Sequence, residues 1–380
     1  MTTTDSLTIR RPDDFHVHFR QGAPMRAFAK ETAKVFARAL VMPNLTPAIR
    51  TGAEALAYKR EILEATSGTG FEPLMTIKLT QRTTPEMIAD AKRYGVFAAK
   101  LYPEGVTTNS DDGVSDVYAL KSVFRAMEHN NMVLCIHGEN PKSSFCLDRE
   151  KDFLNVLRTL AREFRALRIV LEHVSTKEAV AYVHDLGENV AATITPHHLV
   201  LTLDDVVGGM LEPHNFCKPI AKRPDDREAI IEAATSGSPK FFLGTDSAPH
   251  HRSKKECEHA CAGVFNAPTA LPILAEVFER TGYLHRLEHF TSTFGASFYR
   301  LPANETTIRL IKGGHTYHAE EVEGVKVWGG KTAWHVAAGD EAQPKPPAPA
   351  EDTKCVSCGR VLRGEWCDNR SCALYPRTHA

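Results

Sequence analysis

Several features are missing from this chain of 380 residues. It has no apolar run as long as the ~18 residues needed to span a bilayer, so no membrane helix is expected. The N-terminal stretch MTTTDSLTIRR has no apolar h-region. That argues against a secretory signal peptide and for a cytoplasmic location. Net charge is almost absent, with 46 Lys+Arg against 47 Asp+Glu. The balance offers no electrostatic reason to expect nucleic acid or an anionic membrane as partner. No GxGxxG turn follows the first strand-like segment, DFHVHFR, which counts against a doubly wound dinucleotide-binding sheet. Hydrophobic residues make up 42% and charged residues 24%, which excludes disorder of the whole chain. What the chain holds in unusual number is histidine, 18, and cysteine, 9.

Short apolar runs recur, each ending in polar residues with useful chemistry. They are DFHVHFR (14–20), RALVMPN (38–44), PLMTIKL (73–79), VFAAKLYP (96–103), MVLCIHGE (132–139), RIVLEHVS (168–175), VAATITPHH (190–198) and KFFLGTDSAPH (240–250). Helix-like segments lie between them, at 53–65 and at 115–130. The second places Val117, Leu120, Val123, Phe124 and Met127 at helical spacing. Strands alternating with helices imply a parallel sheet. Eight repeats favour closure into an α/β fold of the (β/α)₈ TIM-barrel type. In such a barrel the polar strand ends meet at one mouth.

The residues at those ends suit metal binding. His16 and His18 sit two apart, so a strand presents both to one face. His137 ends the fifth run, His173 the sixth, and Asp246 the eighth. Four imidazoles and a carboxylate suit zinc or a similar borderline metal, and they exceed one tetrahedral site, so two ions are expected. Lys100, at the end of the fourth run, has three readings: a salt-bridged structural lysine, a Schiff-base nucleophile, or a lysine carboxylated by CO₂. Beside four histidines the carbamate is favoured, because it turns a cation into an anion able to bridge two metals. Two metals sharing a water would lower its pKa towards neutrality. Asp246 could then move the proton to a leaving nitrogen. The chemistry this suits is hydrolysis, or its reverse, at an amide-like carbon. Arg20, expected on the same strand face as His18, could bind a carboxylate in a bidentate manner. With Asn44 and His250 it suggests an anionic substrate. Thr107 and Thr108 lie in a polar loop that could act as a lid.

These motifs, in order over roughly residues 7–300, resemble the dihydroorotases of the amidohydrolase superfamily, specifically the short bacterial type. The strings are RRPDDFHVHFR, ALVMPNLTP, AAKLYP with TTNS, IHGE, EHVSTKEA, AATITPHHL, FLGTDSAPH and CAGVFNAPTAL. The resemblance implies a two-zinc barrel that interconverts N-carbamoyl-L-aspartate and L-dihydroorotate in pyrimidine biosynthesis, as a homodimer. It implies that His16, His18 and Asp246 hold one zinc and His137 and His173 the other, with carboxylated Lys100 bridging. Asp246 would be the acid/base. Arg20, Asn44 and His250 would bind the substrate carboxylate, main-chain groups at Lys218 and Ala262 the ring amide, and Thr107 and Thr108 would close over it. Rival readings are a hydantoinase-like cyclic amidohydrolase and a catalytically silent scaffold. The latter should lack metal ligands, and all six expected residues are present.

Lys218 departs from the apolar residue expected in that family. CEHAC (257–261) reads as loop packing. The largest departure follows the barrel, assigned to 1–340. Residues 341–353 form a Pro-rich linker that cannot bury a core. In 354–380, Cys355, Cys358, Cys367 and Cys372 have the spacing C-x₂-C-x₈-C-x₄-C. In a cytosolic chain this favours one further zinc over disulfides.

Overall fold

The computed structural model describes residues 5–107, 110–313 and 320–337, and the backbone alone at 362–363 and 366–367. The chain divides into two units, Met1–Ala342 and Gln343–Ala380. In the second, the described residues are a two-stranded ladder of Leu362–Arg363 with Trp366–Cys367.

The first unit opens with β1 (Ser6–Arg10). Eight parallel strands follow, hydrogen-bonded in sequence order. They are β2 (Asp13–Val17), β3 (Arg38–Val41), β4 (Glu72–Lys78), β5 (Ala98–Leu101), β6 (Val133–His137), β7 (Ile169–Glu172), β8 (Val190–Ile194) and β9 (Phe241–Leu243). Each is followed by a helix: Gly22–Val35, Gly52–Ala65, Pro85–Arg93, Lys121–His129, Arg149–Glu163, Lys177–Asp185, Pro224–Thr235 and Ala270–Arg280. The alternation makes a (β/α)₈ barrel. All eight predicted strand segments overlap an observed strand. β2 and the segment after β9 close the ring. Val17 bridges Ser247, the His18 N–H donates to the Ser247 carbonyl at 2.9 Å, and the Asp246 N–H donates to the His16 carbonyl at 2.9 Å. The seam therefore runs through three of the predicted ligands.

Local chemistry sets the helix starts. Thr51 and Glu54 form a capping box, the Glu54 N–H donating to the Thr51 hydroxyl and the Thr51 N–H to the Glu54 carboxylate. The helix expected at 115–130 starts later. Asp116 accepts the Tyr118 N–H and begins a 3₁₀ turn, Val117–Leu120, and the α-helix runs only from Lys121 to His129. Val123, Phe124 and Met127 are buried as their spacing requires.

Inside the barrel, Phe15, Leu40, Leu74, Val133, Val170 and Phe242 form an apolar plug. Phe15 stacks on Tyr299 with centroids 4.7 Å apart. The pairing of β2 with β3 shifts between Asp14 and Val17, the stretch carrying His16. A small antiparallel sheet not legible from the sequence joins β1 to β10 (Thr307–Lys312) and β10 to β13 (Trp334–Val336). Between them lies the hairpin of β11 (Glu321–Val322) and β12 (Val325–Lys326). Among the described residues, no helix is long and apolar enough to cross a membrane.

Candidate active site

The C-terminal strand ends bring the predicted histidines, lysine and aspartate together. His16 lies in β2, Lys100 in β5, and His137 closes β6, while His18, His173 and Asp246 stand just past their strands. All six are buried, Lys100 completely. Ligand atoms of His16, His173 and Asp246 lie within 4.8 Å of one another. The His16 and His18 Nε2 atoms stand 3.4 and 3.2 Å from the same Asp246 oxygen. His137 meets His173 edge to face, with ring centroids 4.6 Å apart. Burial pushes the pKa of all four imidazoles down. They are therefore held in the neutral form that binds a metal.

Lys100 is the outlier. Its Nζ is buried with no hydrogen-bond partner among the described residues, 5.2 Å above the Tyr102 ring. It makes no salt bridge among the described residues, so the salt-bridged reading has no partner here. Burial lowers its pKa, against the pull of Glu172, Cys135 and Asp246. A desolvated ammonium without a partner is costly. His173 Nδ1 and Glu172 Oε1 are also buried and unpartnered. Neutral imidazoles, a carboxylate and unsatisfied polar atoms facing one another fit a site for divalent metal.

The residues behind the ligands were not picked out from the sequence. Glu172 accepts from His16 Nδ1 and leaves Nε2 facing Asp246. Burial opposes the charge of Glu172, but Lys100 and His16 together outweigh it and hold the carboxyl down to about 2. Thr193 donates to Glu172 and accepts the His173 N–H, at 3.1 and 2.7 Å. Glu139 lies 2.8 Å from His137 Nε2. Both glutamates had a readable signal, since Glu172 precedes His173 and Glu139 follows His137 by two. His197, His198 and Cys217 also gather their ligand atoms within 4.8 Å. His198 is engaged at both nitrogens, by the Thr195 hydroxyl and the Pro219 carbonyl.

Above these residues opens a cleft. His16, His18, Arg20, Asn44, Thr107, His137, His173, Lys218, Asp246 and Ala262 all line it, with Tyr102, Ala248 and Gly263. Arg20 arrives by a different route from the one expected. β2 ends at Val17, and Arg20 has a left-handed backbone with φ of 66°, so strand alternation does not place it. Its Nε donates to the Pro249 carbonyl at 2.8 Å, and an Nη lies 3.0 Å from His250 Nε2. His173 and Asp246 are also left-handed, at 45° and 46°. Such backbone is sparsely populated outside glycine and recurs at functional sites. His250 lies beside Arg20. Burial, then Arg20 and Lys255, push its pKa down to about 2. Lys218 lines the cleft and donates its ammonium to the Val106 carbonyl at 3.2 Å, beside Thr107.

In CEHAC, Cys257 and His259 are exposed and Cys261 half-buried. No ligand cluster forms there among the described residues. Thr108 lies outside the described residues, as do Cys355, Cys358, Cys372 and the side chain of Cys367.

The Amidohydrolase family model matches residues 13–301. A dihydroorotase from Erythrobacter litoralis is 49% identical over 329 residues, covering 85% of this chain and 96% of the relative. Among solved structures, the Saccharomyces cerevisiae dihydroorotase in complex with 5-fluoroorotic acid has a TM-score of 0.83 at 34% identity. It covers 90% of this chain and 100% of its own. The Campylobacter jejuni dihydroorotase has a TM-score of 0.81 at 37% identity, over 88% and 98%. An L-hydantoinase from Arthrobacter aurescens shares the fold alone, at 18% identity and a TM-score of 0.71, over 82% of this chain and 77% of its own.

Proposed function

Since the chain belongs to the amidohydrolase family and, within it, to the dihydroorotases, we propose that it catalyses the reversible ring closure of N-carbamoyl-L-aspartate to L-dihydroorotate. One observation carries the reading: a single cleft is lined both by a buried cluster of neutral histidines with Asp246 and by Arg20. A plain hydantoin has no carboxylate for that guanidinium to meet.

Membership of the family implies a binuclear metal centre. We assign His16, His18 and Asp246 to one zinc, His137 and His173 to the other, and carboxylated Lys100 to both. The unpartnered Nζ of Lys100 supports its modification. When bound, the metals would make hydroxide available near neutral pH and polarise the ring carbonyl.

The chain's own residues do the rest. Arg20, Asn44 and His250 bind the carboxylate and set the ring's orientation. Main-chain groups of Lys218 and Ala262 hold the ring amide, and Thr107 and Thr108 close over it to exclude water. Asp246 lies 3.4 and 3.2 Å from His16 and His18 Nε2, at the cleft wall, where its second oxygen can carry a proton to and from the reacting centre. In ring opening, Asp246 takes the proton released as oxygen adds to the carbonyl carbon. It returns that proton to the ring nitrogen as the C–N bond breaks. In ring closure, it takes a proton from the attacking carbamoyl nitrogen and gives it to the departing water. We place the enzyme in the cytoplasm, which suits the free Cys135, Cys146, Cys217, Cys257 and Cys261. We also propose a homodimer, on the family resemblance alone. The C-terminal cysteines are proposed as a separate zinc site.

The test is turnover of both compounds by zinc-loaded protein, followed by ring absorbance in each direction, with hydantoins as controls. Turnover of both without comparable hydantoin cleavage is expected. Hydantoin cleavage alone would refute the assignment.

A further inference from the structure

Two loops line one side of the cleft, one through Lys218 and one through Ala262 and Gly263. They are joined by a residue that does not line the cleft itself. Lys255 is buried, with 3% of its surface exposed. Its ammonium donates to the carbonyls of Phe216 at 2.8 Å, Cys261 at 3.0 Å and Gly263 at 2.8 Å. An ammonium has three donors, and all three are used. The two loops also bond directly, the Gly263 N–H donating to the Phe216 carbonyl at 2.9 Å.

Lys255 makes no salt bridge among the described residues, so its charge is compensated by carbonyl dipoles and by the Phe216 ring, 5.8 Å from its Nζ. Burial lowers its pKa to about 8, against Cys217 and Cys261. A methionine could fill similar space without the desolvation cost of a cation. The difference lies in what three convergent donors do to the backbone. A trans peptide is planar, and its C=O and N–H point in opposite directions. The Cys261 carbonyl and the Ala262 N–H belong to one peptide. Holding that carbonyl against Lys255 turns the Ala262 N–H the other way. That N–H makes no backbone hydrogen bond among the described residues. The carbonyls of Phe216 and Gly263 fix the distance between this peptide and the loop carrying Lys218. There is little slack, because a Cβ on Gly263 would stand 2.6 Å from the Ala248 carbonyl oxygen.

We propose that Lys255 is a positioning residue that aims the Ala262 N–H at the substrate's ring amide and sets its spacing from the Lys218 main chain. The inference rests on the reading above, in which those two main-chain segments hold the ring amide. It predicts a loss confined to ligands that carry the ring.

The test compares Lys255→Met and Lys255→Arg with the wild type in the zinc-loaded full chain. Steady-state kinetics on L-dihydroorotate are read beside inhibition by orotate, which has ring and carboxylate, and by succinate, which has no ring amide. In K255M, the KM for L-dihydroorotate and the Ki for orotate should rise about tenfold, the effect of one misaligned hydrogen bond. Succinate inhibition should stay within about twofold and kcat within about threefold, the pattern of lost binding rather than lost chemistry. K255R keeps the cation but not three matched donors, and should fall between wild type and K255M. If K255M does not fold, K255R carries the test, with orotate weakened about threefold and succinate unchanged. Orotate and succinate weakening together in the folded variant would show a merely structural role and overturn the proposal. An unchanged KM would overturn it too. A wild-type enzyme without turnover of L-dihydroorotate would overturn the functional reading first, before any variant is made.

Discussion

Replacing Glu172 with glutamine should release metal from the His16 side of the centre while leaving the barrel intact. Glu172 is fully buried and accepts from His16 Nδ1 and from the Thr193 hydroxyl. Accepting two hydrogen bonds favours the ionised form of its carboxyl. The contact is therefore charge-assisted, it fixes the His16 tautomer, and it makes Nε2 a stronger ligand. Glutamine keeps the shape and can still accept both hydrogen bonds, but it removes the charge. A hydrogen bond to a charged group contributes about 1.5–3 kcal/mol against about 1 kcal/mol for a neutral one. The difference of ~0.5–2 kcal/mol, with the loss of the carboxylate's field at the metal, predicts metal binding about 10- to 100-fold weaker. The assay is competition with a chelator, read as the chelator concentration that strips half the zinc. Circular dichroism and thermal unfolding establish that E172Q is folded. E139Q serves as a comparison, because Glu139 supports His137 in the same way. A folded E172Q variant that keeps its zinc at the wild-type midpoint would refute the reasoning.

Arg20→Met should lower kcat/KM about 10- to 100-fold by removing a charge-assisted contact to the substrate carboxylate, with zinc content unchanged by elemental analysis. The pH dependence of stability follows from His250, whose pKa falls from 6.5 to about 2 on folding. Between those values the unfolded chain binds a proton that the folded chain refuses, so stability falls as pH falls through that window. Denaturant unfolding of His250→Asn should show a pH slope shallower by about 1 kcal/mol per pH unit there, and an unchanged slope would contradict the burial of a neutral imidazole. In the C-terminal segment, a Cys355→Ser/Cys358→Ser double variant should lose one zinc per chain by elemental analysis without loss of turnover, and an unchanged zinc count would remove the tail site.

The parts of the molecule legible from sequence were those in which one strand carries its own message. Each barrel strand is a short apolar run ending in a polar group, so the eight segments and the residues at their ends could be read without knowing their neighbours. What needed the closed ring could not. His16 and Glu172 are 156 positions apart, and their contact exists only because β2 and β7 face one barrel interior. The left-handed backbone of Arg20, His173 and Asp246 is similarly invisible, because it is held by the seam and the loops rather than by residue preference. Arg20 reached the cleft although the alternation used to place it had already ended at Val17. The late start at Lys121 reflects a local competitor, the Asp116 carboxylate, which favours a 3₁₀ turn over the first turn of an α-helix. The pairing of β1 with β10 joins segments roughly 300 positions apart, a separation over which local pattern gives no guide to pairing.

Lys100 has no exposed surface, and its Nζ has no hydrogen-bond partner among the described residues. The most direct measurement is ¹³C NMR of the full chain loaded with zinc in ¹³C-bicarbonate, with zinc counted on the same sample. A carbamate carbon signal present in the wild type and absent from Lys100→Met, with loss of zinc from that variant's barrel site, is the predicted result. A fully zinc-loaded, active wild-type enzyme with no carbamate signal would contradict it.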